Sequence, residues 1–241
     1  MLEMRSLTRI CLVSLLFLAP IIPAFGQDAD ALLKQVRAKM DQVRDYKAQG
    51  TLRTDVPFLK IPVSRVQVLY KNPDKFRIQK EGGVSLLPKG GISVNLNAML
   101  ATGTFMAVPA GTATVQGLVL RVIKLLPVQE GGDIVLSTLY IDEKALLIRK
   151  TVTTTRENGT YEMNMQYGRY ANVGLPDKVV VSFDTRDYKL PKGVTFEYDA
   201  GNTAPTKSNG SGKGTVEITY ASYELNPGLT DAAFRQDKPT R

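Results

Sequence analysis

The chain contains no histidine and no tryptophan, and its single cysteine is Cys11. Without histidine there can be no serine–histidine–aspartate triad, no cysteine–histidine pair, no histidine-ligated zinc and no haem histidine. One cysteine cannot form an internal disulfide, and Gln27–Arg241 holds no thiol at all. Long runs of like charge are also missing. Lys and Arg number 31 against 23 Asp and Glu, a net charge of +8, yet no five basic residues stand together. Such a dispersed excess fits a solvated surface or weak attraction to an acidic membrane. Hydrophobic residues at 43% and charged residues at 22% are an ordinary globular balance. The length, 241 residues, suits one large domain or two small ones. These absences favour a non-catalytic role that needs no cofactor and no metal.

What is present begins with an export signal. Arg5 and Arg9 form a basic head, Ile10–Ala19 is a ten-residue apolar run, and Ala24-Phe25-Gly26 places small residues where a signal peptidase reads. A spanning helix needs about 20 apolar residues free of helix breakers; Ile10–Phe25 has 16, with Pro20 and Pro23 among them. The expected organisation is therefore a signal at 1–26, cleaved near Gly26, and a single domain at 27–241. Export argues against a nucleic-acid partner. Cys11 lies inside the apolar run, where it acts as a small hydrophobe and not as a lipid-attachment site.

Asp28–Gln49 reads as an amphipathic helix, with Leu32, Leu33, Val36, Met40, Val43 and Tyr46 along one face, Asp28 and Asp30 at its start and Gly50 as its stop. From Thr51 the dominant period becomes two. Val66, Val68 and Tyr70 alternate with polar residues, as do Phe76 and Ile78, and Asn72-Pro73-Asp74 between them is turn chemistry. Lys144–Thr155 is rich in β-branched residues, and Glu157-Asn158-Gly159 marks a hairpin. Tyr161, Met163, Met165 and Tyr167 form the clearest alternation. Val179, Val181 and Phe183 continue it, followed by Val194, Phe196 and Tyr198, and then by Val216, Ile218 and Tyr220. Strands joined by turns predict a mainly β (α+β) fold. A single antiparallel sheet of about eight to eleven strands, apolar on one face, curls. Ala200–Gly214 reads as a polar loop between two strands.

Gly90–Leu120 carries no charged residue. Ala98, Met99, Leu100, Phe105, Met106, Ala107 and Val108 form its apolar middle, which reads either as core or as a short lid over a cavity. Leu118–Leu126 fits a short helix or a buried strand.

Sites of reaction chemistry are scarce. Gly210-Ser211-Gly212-Lys213-Gly214-Thr215 lacks the leading glycine of a phosphate loop and runs into a strand where that loop needs a helix. Asn158-Gly159-Thr160 and Asn209-Gly210-Ser211 match the glycosylation pattern but read as turns. Asp142 with Glu143, and Asp184 with Asp187, show no spacing that singles out a glycosidase pair. Binding remains. A curved sheet roofed by a helix either fills its interior with side chains or leaves an apolar cavity. The inward set is Leu33, Val36 and Met40 on the helix, with Val66, Val68, Tyr70, Phe76, Ile78, Met99, Phe105 and Met106. It continues through Tyr161, Met163, Met165, Tyr167, Val179, Val181, Phe196 and Tyr198. Its methionines suit a variable acyl chain. At about 0.8 kcal/mol per methylene, a chain of around 16 carbons gains roughly 10 kcal/mol before entropic costs.

The opening DADALLKQVRAKMDQVRDYKAQG, the strand–turn–strand LYKNPDKFRIQ, the segment YGRYANVGLPDKVVV and the closing LNPGLTDAAF together resemble the LolA/LolB-like superfamily of periplasmic lipoprotein carriers. The resemblance spans most of 27–241, and Tyr70–Arg77 is its most telling part. It implies an incomplete antiparallel barrel closed by helices, monomeric, shielding acyl chains of lipoproteins or related lipids on their way to the outer membrane. Partners would be an inner-membrane donor complex and an outer-membrane acceptor. With no lipid-attachment cysteine, the soluble carrier type is implied. The other readings are a structural or protein-interaction β-domain with a filled core, and an enzyme using carboxylates.

Overall fold

Helix α1 (Phe25–Met40) opens the computed structural model, which describes residues 25–56, 59–60, 62–80, 100, 105–129, 131–157, 159–185 and 212–235. The expected signal lies almost wholly outside the described residues. So do Met99, Phe196, Tyr198 and most of the polar loop before Gly214. Ala29, Leu32 and Val36 are the buried stripe of α1, and Leu33 and Met40 pack at its margin.

The helix is shorter than the spacing predicts. It ends at Met40, and strand β1 (Asp45–Val56) begins five residues later. Val43 and Tyr46 are buried as expected, but from a turn and a strand. Tertiary hydrogen bonds decide this. The Asn226 side-chain oxygen accepts from the Arg44 amide at 2.7 Å, and the Asp45 carbonyl accepts from the Asn226 amide at 2.8 Å. The Asp45 carboxylate, itself buried, takes the amides of Gly228 (3.1 Å) and Leu229 (2.8 Å). The closing Leu225–Leu229 stretch thus holds the chain extended where local periodicity favours a further helical turn.

After β1 come β2 (Leu59–Lys60), β3 (Ser64–Lys71), β4 (Lys75–Lys80), β5 (Phe105–Val115), β6 (Leu118–Pro127), β7 (Ile134–Asp142), β8 (Leu147–Thr155), β9 (Thr160–Gln166), β10 (Lys178–Asp184) and β11 (Lys213–Leu225). They form one antiparallel sheet in the order β4-β3-β1-β11-β10-β9-β8-β7-β6-β5, with β2 paired to β1 outside this path. Among the described residues β4 and β5 are the free edges, so the barrel is incomplete. The meander is up-and-down except at one place, where β11 returns to lie beside β1. Leu118–Leu126 is therefore a strand. Phe105–Leu120 lies in the β5–β6 hairpin, turned by Gln116 and Gly117, both at positive φ, with Phe105 and Ala107 packed on the core and Leu120 buried.

Gly50 is not a helix stop. It lies mid-strand, where the β1–β11 register shifts: Gln49 faces Ser222 while Gly50 faces Tyr220, so Ala221 is an extra residue on β11. A Cβ at Gly50 would come within 2.5 Å of the Thr219 carbonyl oxygen. The bulge has a consequence for β11. Tyr220 and Tyr223, three apart, both face the interior, whereas Ala221 and Ser222 are exposed.

Helix α1 roofs the concave face and is pinned along its length. Arg121 reaches Asp28 at 3.1 Å, Arg37 donates to the Leu100 carbonyl at 3.2 Å, and Lys39 donates to the Ala145 carbonyl at 2.6 Å. Just past the helix, Asn72 of the β3–β4 turn donates to Asp41 at 2.9 Å. Among the described residues no helix is long and apolar enough to cross a membrane.

Candidate functional site

An apolar cavity of about 70 Å³ lies beneath the C-terminal end of α1. Met40 and Val43 roof it. Its walls are Tyr46 (β1), Tyr70 (β3), Phe76 (β4), Met163 and Met165 (β9), Tyr167, the Gly174-Leu175-Pro176 loop, Val179 (β10) and Tyr220 (β11). Cross-strand pairing explains the convergence. Tyr46 faces Tyr70, which faces Phe76; Ile218 faces Val179, which faces Met165. Gly174, at φ 74°, lets the loop close against Met40: a Cβ there would lie 3.3 Å from the Met40 Cγ.

Of the residues expected inward, Met40, Tyr70, Phe76, Met163, Met165, Tyr167 and Val179 meet around this cavity. Val36, Val66, Val68, Ile78, Tyr161 and Val181 are buried in the continuous core, with Leu33 and Phe105 packed against it. Met106 is a correction. It is 57% exposed, because consecutive strand residues point to opposite faces and its neighbours Phe105 and Ala107 take the inner one. The period-two reading missed Val43 and Tyr46 as cavity residues by assigning them to the helix. Gly174–Pro176 carries no periodic signal. Tyr223 was hidden by the bulge; a glycine inside an alternating strand, Gly50, was its only trace.

Five tyrosines form a connected cluster at one side. Tyr46 stacks on Tyr70 (centroids 5.1 Å) and meets Tyr223 edge-on (5.2 Å); Tyr223 also contacts Tyr170 (4.9 Å) and Tyr220 (5.0 Å). Tyr223 donates to the Pro176 carbonyl at 2.6 Å, and Tyr167 donates to the Ile148 carbonyl at 2.8 Å. Burial pushes the hydroxyls of Tyr46, Tyr167, Tyr220 and Tyr223 above the ordinary phenol range, with neighbouring tyrosines adding to the effect at Tyr46 and Tyr223. All four stay protonated, and Tyr167 and Tyr223 act as donors.

No charged side chain lines the cavity among the described residues. Of the carboxylates considered for catalysis, Asp142 pairs with Arg149 at 2.9 Å and Glu143 with Arg121 at 2.7 Å, away from the cavity, while Asp187 lies outside the described residues. At Asp142 burial pushes the carboxyl up, but the Ala145 amide and Arg149 outweigh it and hold it below its usual range. Lys213 opens strand β11, so no helix follows the glycine-rich stretch. No group of three His, Cys, Asp or Glu side chains able to hold a metal occurs among the described residues.

No family model matches the sequence, and no curated protein sequence matches it. Solved structures do. A DUF1329 family protein from Desulfovibrio piger superposes with a TM-score of 0.57 at 10% identity, over 88% of this chain and 97% of the other. A domain from Vibrio parahaemolyticus named for outer membrane lipoprotein sorting gives 0.56 at 9% identity, over 87% and 97% of the two chains. A LolA superfamily protein from Nitrosomonas europaea gives 0.52 at 12% identity, over 85% and 97%. At such identities the likeness concerns the LolA-like backbone, an open antiparallel sheet with a helix across its concave side.

Proposed function

We propose that this protein is a non-catalytic carrier of the periplasm. It shields acyl chains of lipoproteins or related lipids between α1 and the sheet and moves them toward the outer membrane. The observation that carries the reading is the uncharged Met- and Tyr-lined cavity at the helix–sheet boundary, set in a fold whose structural neighbours include a lipoprotein-sorting domain. In this reading residues 1–26 are an export signal removed near Gly26, residues 27–241 are the working domain, and an inner-membrane donor and an outer-membrane acceptor are the partners.

The cavity is small. Pockets for drug-sized ligands run from roughly 300 to 1,000 Å³, so a cavity of about 70 Å³ must enlarge to take an acyl chain, and Met40, Met163, Met165 and Phe76 are among the lining side chains that have to move. Loading requires these side chains to change rotamer. Methionine does this at little cost, because its unbranched thioether packs acceptably in several conformations.

The same small volume favours the alternative, a structural β-domain with a filled core. One experiment separates them. Protein purified from its native envelope is extracted with organic solvent, the extract is examined by mass spectrometry, and a fluorescent acyl probe is titrated into the stripped protein. A carrier yields lipid in the extract and binds the probe saturably; a filled core does neither. Met163→Asp places a charge in the cavity wall and abolishes probe binding in a carrier.

A further inference from the structure

Two hydroxyls of the cavity wall have no use within the protein. Tyr167 and Tyr223 donate to main-chain carbonyls, but among the described residues the Tyr46 and Tyr220 hydroxyls bond to no protein group, and neither hydroxyl oxygen is fully enclosed. Both rings line the cavity and both pack on Tyr223, at 5.2 and 5.0 Å. Both residues are more than nine-tenths buried, Tyr46 being 8% and Tyr220 4% exposed. A hydroxyl that is open and unbonded in an otherwise apolar wall is available to donate to a guest, which phenylalanine is not.

We propose that Tyr46 and Tyr220 form a recognition point for the carbonyl oxygen of an acyl ester or amide, so that the site reads the linkage of the lipid as well as its chain. This rests on the carrier reading given above. The chemistry of the wall narrows the ligand further. A carbonyl oxygen has two lone pairs and can accept from both hydroxyls. A free fatty acid carboxylate or a phosphate would need a cation to offset its desolvation, and no described wall residue is charged. The ligand class is therefore a neutral acyl linkage, with the carbonyl against the two tyrosines and the hydrocarbon among the methionines.

The test is displacement of a fluorescent acyl probe from the full chain by two matched lipids. These are 1-monopalmitoylglycerol and 1-O-hexadecylglycerol, which keeps the chain and glycerol but lacks the carbonyl. Wild type should bind the ester roughly tenfold more tightly than the ether, in line with one or two neutral hydrogen bonds. Tyr46→Phe and Tyr220→Phe should each lose part of that preference, and the double variant should bind both lipids as wild type binds the ether. Tyr167→Phe, whose hydroxyl is already engaged, should keep the preference. Equal binding of ester and ether by wild type overturns the linkage proposal and leaves the carrier reading standing. A preference that survives in the double variant overturns the assignment to these two tyrosines. Failure of wild type to bind the probe or either lipid overturns the carrier reading itself. Thermal melts of each variant confirm that the comparison is among folded proteins.

Discussion

The two halves of the sheet bury their inner faces in different ways. Across β6–β8 the interior is aliphatic and closed: Ile123, Leu125, Leu139, Ile141 and Ile148 are all at most 2% exposed. Between them, Ser137 and Thr153 share a hydrogen bond at 2.8 Å. Across β9–β11 and β1–β4 the same surface joins aliphatic residues such as Val66, Val68, Val181 and Ile218 to a cluster of methionine and tyrosine, and beside that cluster a cavity remains. Branched aliphatic side chains have few rotamers and interlock to native density. Long thioethers and rings meeting edge-on leave residual space, and they tolerate rearrangement. One half is a scaffold and the other is deformable. That division suits a carrier that must open at one place without unfolding.

The comparison breaks most directly under truncation. Leu139→Ala removes a fully buried side chain from the rigid half, whose neighbours cannot close the void, and should cost about 4 kcal/mol. Met165→Ala removes a side chain of similar size beside existing space, where Met40 and Met163 can collapse inward, and should cost about 2 kcal/mol. Urea midpoints at constant m-value measure both. Equal losses would mean that the two halves are equally rigid. In a carrier Met165→Ala also tightens probe binding, because one of the side chains that must move is gone.

A smaller effect tests what holds the tyrosines in place. Gly50→Ala brings a Cβ to 2.5 Å from the Thr219 carbonyl oxygen, so β1 and β11 must separate at the bulge. The expected cost is about 1–3 kcal/mol. Near-UV circular dichroism should also change, since the shift moves Tyr220 and Tyr223 relative to Tyr46. An unchanged spectrum with lowered stability would show that the bulge supports the sheet without orienting the cluster.

The bulge also marks where the sequence stopped being legible. Alternation identified the inner faces of β3, β4, β9 and β10, because a half-buried strand must repeat every two residues. Of the thirteen residues lining the cavity, six were read as inward by alternation and Met40 by helical spacing. Local period failed wherever tertiary contacts override it. Val43 and Tyr46 continue the spacing of α1, yet Asn226 and the amides of Gly228 and Leu229 hold that segment extended from about 180 residues away along the chain. Tyr223 is out of phase with Val216, Ile218 and Tyr220 by the one residue that Ala221 inserts. Met106 was assigned inward together with its neighbour Phe105, which a regular strand does not allow. The fold class, by contrast, depended on the number and type of strands; turns and alternation marked β3, β4 and β8–β11, while β5 and β7 were not read as strands and β6 was left between helix and strand.

The smallest expected effect is acid sensitivity, and it differs between the halves. On the deformable side, Lys71 and Lys75 hold the fully exposed Asp231 at 2.8 and 2.5 Å, tying the closing segment to β3 and to the start of β4 and pulling the carboxyl down to about 2. On the rigid side, Asp142 is held below its usual range by the Ala145 amide and Arg149 despite burial, which pushes the other way. Each carboxyl is more acidic folded than unfolded. Its contribution is therefore complete above the ordinary carboxylate pKa near 4 and is lost as pH falls through the folded value. Stability should be level from pH 7 to about 5 and decline from about 4 towards 2. Asp142→Asn should remove more of that decline than Asp231→Asn, because a pair in open solvent is screened and holds two long lysines in place at an entropic cost. Urea midpoints at pH 7 and pH 3 for the two variants measure the difference. A larger loss of slope in Asp231→Asn would mean that the closing segment is held chiefly by its lysine contacts, and not by Asn226 and the buried Asp45.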